Sequence, residues 1–339
     1  MSETNRQIRL AARPRGEVQP SDWEHRSEPA PAPGEGAFAA RTKAISLDPA
    51  MRGWLDDRPS YVPPVGLGEV MRAQSVVEVT ESNHPGFAPG DHVVGAFGAQ
   101  THVVSDGRGA RKVDLTLAPA STYLGALGVP GLTAYFGLLD IGALQAGETV
   151  VVSAAAGAVG SVAGQIAKIK DCRVVGIAGG PEKCALLVDE LGFDAAIDYR
   201  SADVRRELRR HAPDGIDVYF DNVGGEILDA ALANLAMHAR VVICGAISTY
   251  NETRPRGPAN YMMLLVRRAR MEGFLVFDFA GRYREAGAEL AGWIADGRLK
   301  AKEHVVKGTI DDFPETLQML FRGENVGKLV LDIDTAQAV

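Results

Sequence analysis

The segment Thr149–Lys170, TVVVSAAAGAVGSVAGQIAKIK, constrains the fold of this chain more than any other feature. It starts as an apolar run typical of a buried strand, passes through small residues and ends in an amphipathic helical pattern. The spacing Ala155-x-Gly157-x-x-Gly160 is that of the βαβ dinucleotide-binding fingerprint, with alanine in the first position. A glycine-rich turn alone can be an ordinary tight turn. Because both flanking patterns are present, we predict that a dinucleotide pyrophosphate binds at the N-terminus of this helix.

The glycines of this segment have separate expected roles. Gly157 is expected to let the backbone approach the phosphates, whereas Gly160 and Gly164 are expected to let the helix lie close to the sheet.

Strand and helix patterns alternate after the fingerprint. The predicted strands are Cys172–Ala178, Ala195–Asp198, Ile216–Phe220 and Val241–Cys244. Helices are predicted between Pro181 and Gly192 and from Ser201 to about His211. This alternation predicts an α/β fold with a doubly wound parallel sheet, in which ligands lie beyond the carboxyl ends of the strands. Side chains that follow strand ends are therefore candidates for the cofactor cleft, namely Asn222, Ser248 and Tyr250.

The residues after the second strand indicate which nicotinamide cofactor is bound. An NAD site usually places Asp or Glu about 20 residues after the fingerprint, where it binds the ribose 2′-hydroxyl. Here that strand ends in Ile177-Ala-Gly-Gly180, and Lys183 follows. A lysine attracts a 2′-phosphate that a carboxylate would repel, although Glu182 lies beside it. From local sequence alone Lys183 can equally be a solvated helix residue.

Composition excludes several classes of protein. The length of 339 residues favours two cores, and a net charge of −7 disfavours nucleic acid as the main partner. Leu115–Leu139 is 25 residues without a charge, but Pro119, Pro130 and four glycines favour a buried loop and helix over a membrane span. The polar N-terminus predicts no secretory signal. The cysteines are typical of reduced thiols in a cytoplasmic protein, namely Cys172, Cys184 and Cys244.

The first part of the chain has a different pattern. Short apolar segments such as Ala37–Leu47 and Val70–Val79 are separated by glycine and proline clusters, which predicts a small mostly-β domain. Short strand patterns return near the C-terminus and end in Gly327–Ile333. We therefore expect the C-terminal segment to pack on the first domain.

Several motifs together resemble one family. The chain is similar to the medium-chain dehydrogenase/reductases, and within them to the zinc-free NADPH-dependent alkenal/one reductases, which include prostaglandin reductases (leukotriene B4 dehydrogenase-like) and plant double-bond reductases. The resemblance covers nearly the whole chain. The motifs that carry it are Ser46–Gly53, Gly68–Arg72, Val129–Tyr135, Ala155–Gly160, Phe220–Gly225, Cys244–Asn251, Arg270–Phe274 and Asn325–Lys328.

The resemblance implies two domains and a set of cofactor contacts. A GroES-like, mostly-β substrate domain would comprise residues 1–125 and 305–339, and a Rossmann domain residues 126–304. A homodimer through edge strands is implied as well. Lys183 and Tyr199 would hold the 2′-phosphate of NADPH, and Asn325 would reach the cofactor from the C-terminal segment. The remaining implied contacts are Gly157, Ala158, Val159 and Gly160 at the pyrophosphate, and Asn222, Cys244, Gly245, Ala246, Ile247, Ser248, Thr249, Tyr250, Phe274, Leu275 and Val276 at the ribose and nicotinamide.

Residue types predict that no metal is bound. No cysteine precedes Cys172, and the seven histidines show no paired ligand spacing. Without a Lewis acid, the chemistry favoured is hydride transfer to the β-carbon of an α,β-unsaturated ketone or aldehyde, which the carbonyl already makes electrophilic.

The chain departs from the family at three positions. Ala50 and Ala99 stand where the family commonly has aromatic residues, and Val266 stands where eukaryotic members have a substrate-facing tyrosine. Tyr261 lies five residues before Val266 and is a candidate substitute as catalytic residue, although a plain helix tyrosine is at least as consistent with the sequence. Loss of aromatic side chains predicts a roomier substrate pocket lined by Ala50, Ala99 and Val266.

Two other functions remain open from the sequence. Zinc-free relatives include NADPH-dependent quinone oxidoreductases, which use the same cofactor cleft. A cofactor-binding protein without turnover is also compatible, because binding and chemistry need different residues.

Overall fold

The computed structural model describes residues 3–254 and 256–333 of the chain. The chain divides into two units, which are described separately. The β-rich unit is made of Met1–Leu124 and Glu303–Val339, and the α/β unit of Gly125–Lys302.

The strands and helices of the described residues are as follows. The strands are β1 (Thr4–Leu10), β2 (Trp23–Pro29), β3 (Phe38–Ser46), β4 (Ser75–Ser82), β5 (His92–Gly95), β6 (His102–Ser105), β7 (Arg111–Val113), β8 (Thr149–Ser153), β9 (Arg173–Ala178), β10 (Ala195–Asp198), β11 (Ile216–Asp221), β12 (Leu235–Ile243), β13 (Arg270–Gly273), β14 (Glu303–Lys307) and β15 (Lys328–Asp332). The α-helices are α1 (Met51–Trp54), α2 (Ala120–Leu124), α3 (Val129–Phe136), α4 (Ala158–Ile169), α5 (Pro181–Ala185), α6 (Val204–His211), α7 (Gly225–Leu232), α8 (Met263–Arg267), α9 (Tyr283–Ala295) and α10 (Phe313–Arg322).

The α/β unit is built on a parallel sheet. Its described strands run in the order β10-β9-β8-β11-β12-β13, and neighbours pair in parallel. The central strand β8 is apolar because both of its faces are covered, and Val150, Val151 and Val152 are fully buried. Helices α3, α4 and α9 contribute to the core on one face, and α6 and α7 to the core on the other. The prediction of an α/β fold with a doubly wound parallel sheet is confirmed.

The β-rich unit contains a mostly antiparallel sheet. Its described strands follow the path β14-β15-β3-β4-β5-β7, and β6 also pairs with β3. The strand β15 lies between β14 and β3, so the C-terminal segment completes the sheet that the N-terminal part begins. A separate antiparallel hairpin joins β1 and β2. The prediction that the C-terminal strand packs on the first domain is confirmed.

Several element boundaries differ from the prediction. Helix α6 begins at Val204 rather than Ser201, because the Asp203 side chain caps it by accepting the N–H of Arg206. The helix after Pro181 is α-helical only to Ala185 and continues as a π-helical turn. The edge strand β13 was not predicted, since its sequence RMEG has no strand pattern.

The long uncharged segment forms short helices. Ala120–Leu124 and Val129–Phe136 are separate helices within it, and Pro130 occupies the first turn of the second one. Throughout the described residues, every helix is too short or too polar to cross a membrane.

Candidate active site

The fingerprint turn joins β8 to α4 in the α/β unit. The positive backbone φ of 45° falls on Ala154, one residue before the first fingerprint position. Ala155 is fully buried, and its N–H donates to the carbonyl of Ile177 on the neighbouring strand at 3.0 Å. Ala155 therefore faces the interior and ties the turn to β9, whereas Ala154 makes the sharp change of direction.

Close packing against backbone explains Gly160 in the way the sequence predicts, whereas the approach of Gly157 to the phosphates stays a prediction. A Cβ on Gly160 would press against the carbonyl oxygen of Ala154 and lie 2.8 Å from the Cα of Ala155. A Cβ on Gly157 would lie 3.1 Å from the same oxygen. Gly164 is different from the prediction, because its open side is filled by the ring of Phe193 rather than by strand backbone.

The N-terminus of α4 has no side-chain cap. Gly157 is the N-cap residue. The N–H groups of Ala158, Val159 and Gly160 occupy the first turn, where helical N–H groups lack partners within the helix and carry partial positive charge. These residues fit the pyrophosphate of a dinucleotide, as the spacing predicts.

A cationic cluster lies after strands β9 and β10. A Cβ on Gly179 would lie 2.9 Å from Nε of Arg200 and 2.9 Å from Cε1 of Tyr199, so both side chains pack against the bare glycine. Lys183 is half-buried on α5. Burial, and then the positive charge of Arg200, lowers the pKa of the Lys183 ammonium. The residues Lys183, Tyr199 and Arg200 therefore meet at the loop that the sequence assigns to the 2′-phosphate.

Arg200 was missed by the sequence analysis. Its position directly after Tyr199, at a strand end, is the signal that could have identified it. The nearby carboxylate of Asp198 is already engaged, because it accepts the N–H of Gly180 at 2.8 Å, the N–H of Arg200 at 3.0 Å and the hydroxyl of Ser201 at 2.9 Å. Backbone N–H donation from Gly180 and Arg200 lowers the pKa of Asp198.

The buried carboxylate of Asp221 lies at the end of β11 and accepts several hydrogen bonds. Oδ1 of Asp221 accepts hydrogen bonds from the hydroxyls of Ser153 and Tyr219 and from the N–H groups of Val223 and Gly224, each at 3.0 Å. Burial raises the pKa of Asp221 despite these donors. Asp221 could not be identified from the sequence, because a carboxylate at a strand end gives no sign of how many donors converge on it.

Asn222 joins the ends of two strands. Its backbone N–H donates to the Ser153 hydroxyl at 2.9 Å, and its side-chain Nδ2 donates to the Ser153 carbonyl at 2.8 Å. Asn222 thus lies at the carboxyl ends of β8 and β11, where the sequence predicts the cofactor cleft. Its contact with the ribose or nicotinamide stays a prediction.

The segment from Cys244 to Tyr250 folds over the end of β11. The N–H groups of Cys244 and Gly245 donate to the Asp221 carbonyl at 2.9 and 3.0 Å. The hydroxyl of Ser248 donates to the Val223 carbonyl at 2.6 Å, and the N–H of Ala246 donates to the hydroxyl oxygen of Tyr250 at 3.2 Å. Within this segment, residues Ile247 to Thr249 form a 3-10 turn. These bonds hold the segment beside Asn222, so the structure brings this group of predicted residues together.

The remaining predicted cofactor residues lie on two segments. Phe274 follows β13, and its Cζ would lie 2.7 Å from a Cβ on Gly137. Leu275 is half-buried, and Val276 is buried and accepts the hydroxyl of Tyr283 through its carbonyl at 2.9 Å. In the β-rich unit, Asn325 precedes β15 and its Nδ2 donates to the Gly327 carbonyl at 2.8 Å. Its contact with the cofactor stays a prediction.

The residues predicted on the substrate side differ in their burial. Ala99 is fully buried in the core of the β-rich unit, and its predicted role in the substrate pocket stays a prediction. Ala50 is half-buried at the N-terminus of α1. Tyr261 lies two residues before α8 and Val266 lies within it, and their side chains are 58% and 57% exposed. The roles of Ala50, Val266 and Tyr261 toward substrate stay predictions.

Burial keeps two of the cysteine thiols in their protonated form. Burial raises the pKa of Cys172 to about 11 and that of Cys244 to about 12, so both are protonated at neutral pH. Within residues 3–254 and 256–333, no group of three or more His, Cys, Asp or Glu side chains is placed to hold a metal ion.

Comparisons with known proteins agree with this site. Residues 6–113 match the family model described as the N-terminal domain of oxidoreductase, and residues 158–292 match the one described as zinc-binding dehydrogenase. The chain is 42% identical to the NADPH-dependent curcumin reductase of Escherichia coli, over 98% of this chain and 97% of that protein. It is 40% identical to the NADP(+)-dependent 2-alkenal reductase of Nicotiana tabacum, over 88% of each.

A solved structure has the same fold. CurA from Vibrio vulnificus in complex with NADPH matches with a TM-score of 0.92 and 43% identity, over 96% of this chain and 98% of that one. The likeness extends over both units. This chain therefore belongs to the alkenal reductase family of the medium-chain dehydrogenase/reductases and is an NADP-dependent oxidoreductase that uses NADPH/NADP.

Proposed function

We propose that this enzyme reduces the carbon–carbon double bond of α,β-unsaturated ketones and aldehydes by hydride transfer from NADPH to the β-carbon, without a metal. The observation that carries the cofactor part of the proposal is that Tyr199 and Arg200 pack at Gly179 and that Lys183 interacts electrostatically with Arg200, in a chain with the backbone of a dinucleotide site. The curcumin and 2-alkenal reductases it resembles support this substrate class.

The residues of the α/β unit have distinct parts in this proposal. The first turn of α4 holds the pyrophosphate, and Lys183 and Arg200 hold the 2′-phosphate through charge. Asp221 fixes the Cys244–Tyr250 segment, which lines the nicotinamide side of the cleft. When bound, NADPH supplies the hydride. The protein's task is then to orient the two reactants and to exclude water.

The substrate side rests on fewer residues. A roomier substrate pocket is supported by Ala50, Ala99 and Val266, where small side chains stand in place of aromatic ones; Ala99 is itself buried in the core. We keep Tyr261 as the candidate hydrogen-bond donor to the developing oxyanion, since it is exposed and its hydroxyl has no hydrogen-bond partner among the described residues.

We also propose a cytoplasmic homodimer. The outer edge of β13 pairs with no other described strand, and all four of its residues are exposed, which leaves a row of backbone groups for a second copy. All three cysteines are free, which is typical of a reducing compartment. Sedimentation analysis that finds only monomers at micromolar concentration would argue against the dimer.

The proposed reaction is tested by a panel of enones and quinones with NADPH, with NADH in parallel. We expect fast oxidation of NADPH with enones, a saturated ketone or aldehyde as product, and slow turnover with NADH. Turnover of quinones to hydroquinones without enone reduction would instead identify a quinone oxidoreductase. NADPH binding without turnover of either class would indicate a protein that binds the cofactor without catalysis.

A further inference from the structure

The β-rich unit has an open-sided cavity to which the proposed function assigns no role. Its volume is about 260 Å³, slightly below the range of roughly 300–1,000 Å³ that accommodates drug-sized ligands. Val65, Val70 and Phe97 form apolar walls, and the polar groups at the cavity are those of Glu69, Arg72 and Gln100. The size and the lining suit a small molecule with one apolar end and one polar end.

Backbone pairing directs Arg72 into this cavity. The Ala99 N–H donates to the Met71 carbonyl at 2.8 Å, and the Gly98 N–H donates to the Ala73 carbonyl at 3.0 Å. Met71 and Ala73 are both buried in the core. Side chains alternate along extended backbone, so Arg72, between these two residues, lies on the opposite side.

The guanidinium of Arg72 has an unmet hydrogen-bonding requirement. Its Cζ lies 5.4 Å from the centroid of the Trp54 ring. Its Nη1 is buried and has no hydrogen-bond partner in the part of the chain that the structure describes. By contrast, Arg9 bonds to Glu28, and Arg52 bonds to Asp56 and to the Gly16 carbonyl. A buried cationic donor without a partner is unfavourable unless a ligand supplies the acceptor.

The neighbouring polar groups are already engaged. Nε2 of Gln100 donates to the Phe97 carbonyl at 2.8 Å, and its Oε1 accepts from Asn5 and Gln7 at 3.0 and 3.3 Å. Glu69 is exposed at the rim, where its carboxylate accepts the Gly66 N–H at 2.7 Å. Nη1 of Arg72 is therefore the polar group of this cavity that lacks a hydrogen-bond acceptor in the described part of the chain.

We propose that this cavity is a binding subsite for a small monocarboxylate with an apolar body. A carboxylate matches the planar guanidinium and can accept two of its N–H groups, while the body contacts Phe97 and the valines. The negative charge of Glu69 at the rim disfavours a dianion such as phosphate more than a monoanion. The ligand is either the acidic arm of a substrate or a separate small acid.

Binding is measured by calorimetric titration of the full-length enzyme with benzoate, benzamide and inorganic phosphate. We expect benzoate to bind saturably, and benzamide and phosphate to bind about tenfold more weakly or not at all, because only benzoate combines a single negative charge with an apolar ring. This ligand series uses the unmodified protein and measures no turnover, so its result is independent of the proposed reaction. Absence of benzoate binding, or equal binding of benzamide, would overturn the proposal.

Variants then locate the site. We expect Arg72→Met, which keeps an unbranched chain over Trp54, to weaken benzoate binding about tenfold or more while NADPH binding is unchanged. Arg108→Met is the matched control, since Arg108 is a highly exposed arginine of the same unit. Equal loss in both variants, or none in Arg72→Met, contradicts the assignment. Competition between benzoate and an enone supports a substrate arm, and binding without competition supports a separate ligand.

Discussion

At the scale of single residues, distances in the fingerprint turn show why glycine is needed. Gly160 has no positive φ, so its backbone conformation is open to any residue. The constraint is the neighbouring backbone of Ala154 and Ala155, which a Cβ would meet. A backbone neighbour cannot rotate away as a flexible side chain does, so the helix itself would have to shift.

This distance predicts the effect of Gly160→Ala. We expect a loss of about 1–3 kcal/mol in the free energy of unfolding, because overpacking displaces α4. We also expect weaker NADPH binding, because the N–H groups of the first helical turn move with the helix. Urea denaturation and fluorescence titration measure the two effects.

The control for this substitution lies in α9. A Cβ on Gly287 would meet no atom within 4 Å, so Gly287→Ala is expected to stabilise the protein by about 0.5–1 kcal/mol through helix propensity. If both variants behave alike, close packing at Gly160 is not the constraint.

The cationic cluster predicts cofactor preference. We expect Lys183→Ala and Arg200→Ala each to raise the KM for NADPH about tenfold, with kcat and the KM for NADH little changed, because each removes a positive charge from the 2′-phosphate. Arg209→Ala, an exposed arginine on α6, serves as the control. An equal rise in the KM for both cofactors would show that the cluster does not discriminate between them.

The lowered pKa of Lys183 predicts a pH dependence. Burial makes this ammonium lose its proton at a lower pH than an ordinary lysine, whose pKa is about 10.4. As pH rises from about 7 toward that value, kcat/KM with NADPH should therefore begin to fall at a lower pH than kcat/KM with NADH. In Lys183→Arg the side chain stays charged, so the early fall should disappear. Identical profiles for wild type and Lys183→Arg would refute this assignment.

At the scale of elements, one buried ion pair connects β15 to the end of β3. Nζ of Lys328 is buried and donates to the Leu47 carbonyl at 2.7 Å and to the Asp48 carboxylate at 2.6 Å. The Ser46 hydroxyl donates to the other oxygen of Asp48 at 2.5 Å. The returning C-terminal strand is thus tied to the loop that carries Ala50, and not only to the sheet.

Breaking this pair should destabilise the β-rich unit. We expect Lys328→Met to lower the free energy of unfolding by about 3 kcal/mol, the low end for a buried pair, because Asp48 is partly exposed. Lys307→Met, at an exposed position of β14, should change it by less than about 0.5 kcal/mol. A double variant that adds Asp48→Asn should recover part of the loss. No recovery would mean that packing of the Lys328 chain, rather than the charge pair, is what matters.

At the scale of the whole molecule, the fold could be predicted because its signals are local and strong. Buried parallel strands such as β8 are continuous apolar runs. The small residues after β8 indicate a turn in which neighbouring backbone leaves no space for larger side chains. The returning C-terminal strand could be predicted for the same reason. The edge strand β13 could not, because it is exposed and its position depends on pairing with β12.

The site was predictable only where one residue type implies one task. Lys183 stands out because a cation occurs where an NAD site has an acid. Arg200 and Asp221 were missed, since their importance comes from neighbours brought together by folding. The burial of Ala99 could not be predicted, because a residue beside an extended segment can face either side and the sequence does not show which side is the core.

The central claim is that hydride is delivered to the β-carbon of an unsaturated carbonyl compound. It is tested most directly by reducing an enone with NADPH deuterated at the transferable C4 position and locating the label by NMR. We expect a saturated ketone with one deuterium at the β-carbon and a hydrogen from solvent at the α-carbon. An allylic alcohol with deuterium at the carbinol carbon, or a quinone-specific reaction with no labelled ketone, would contradict it.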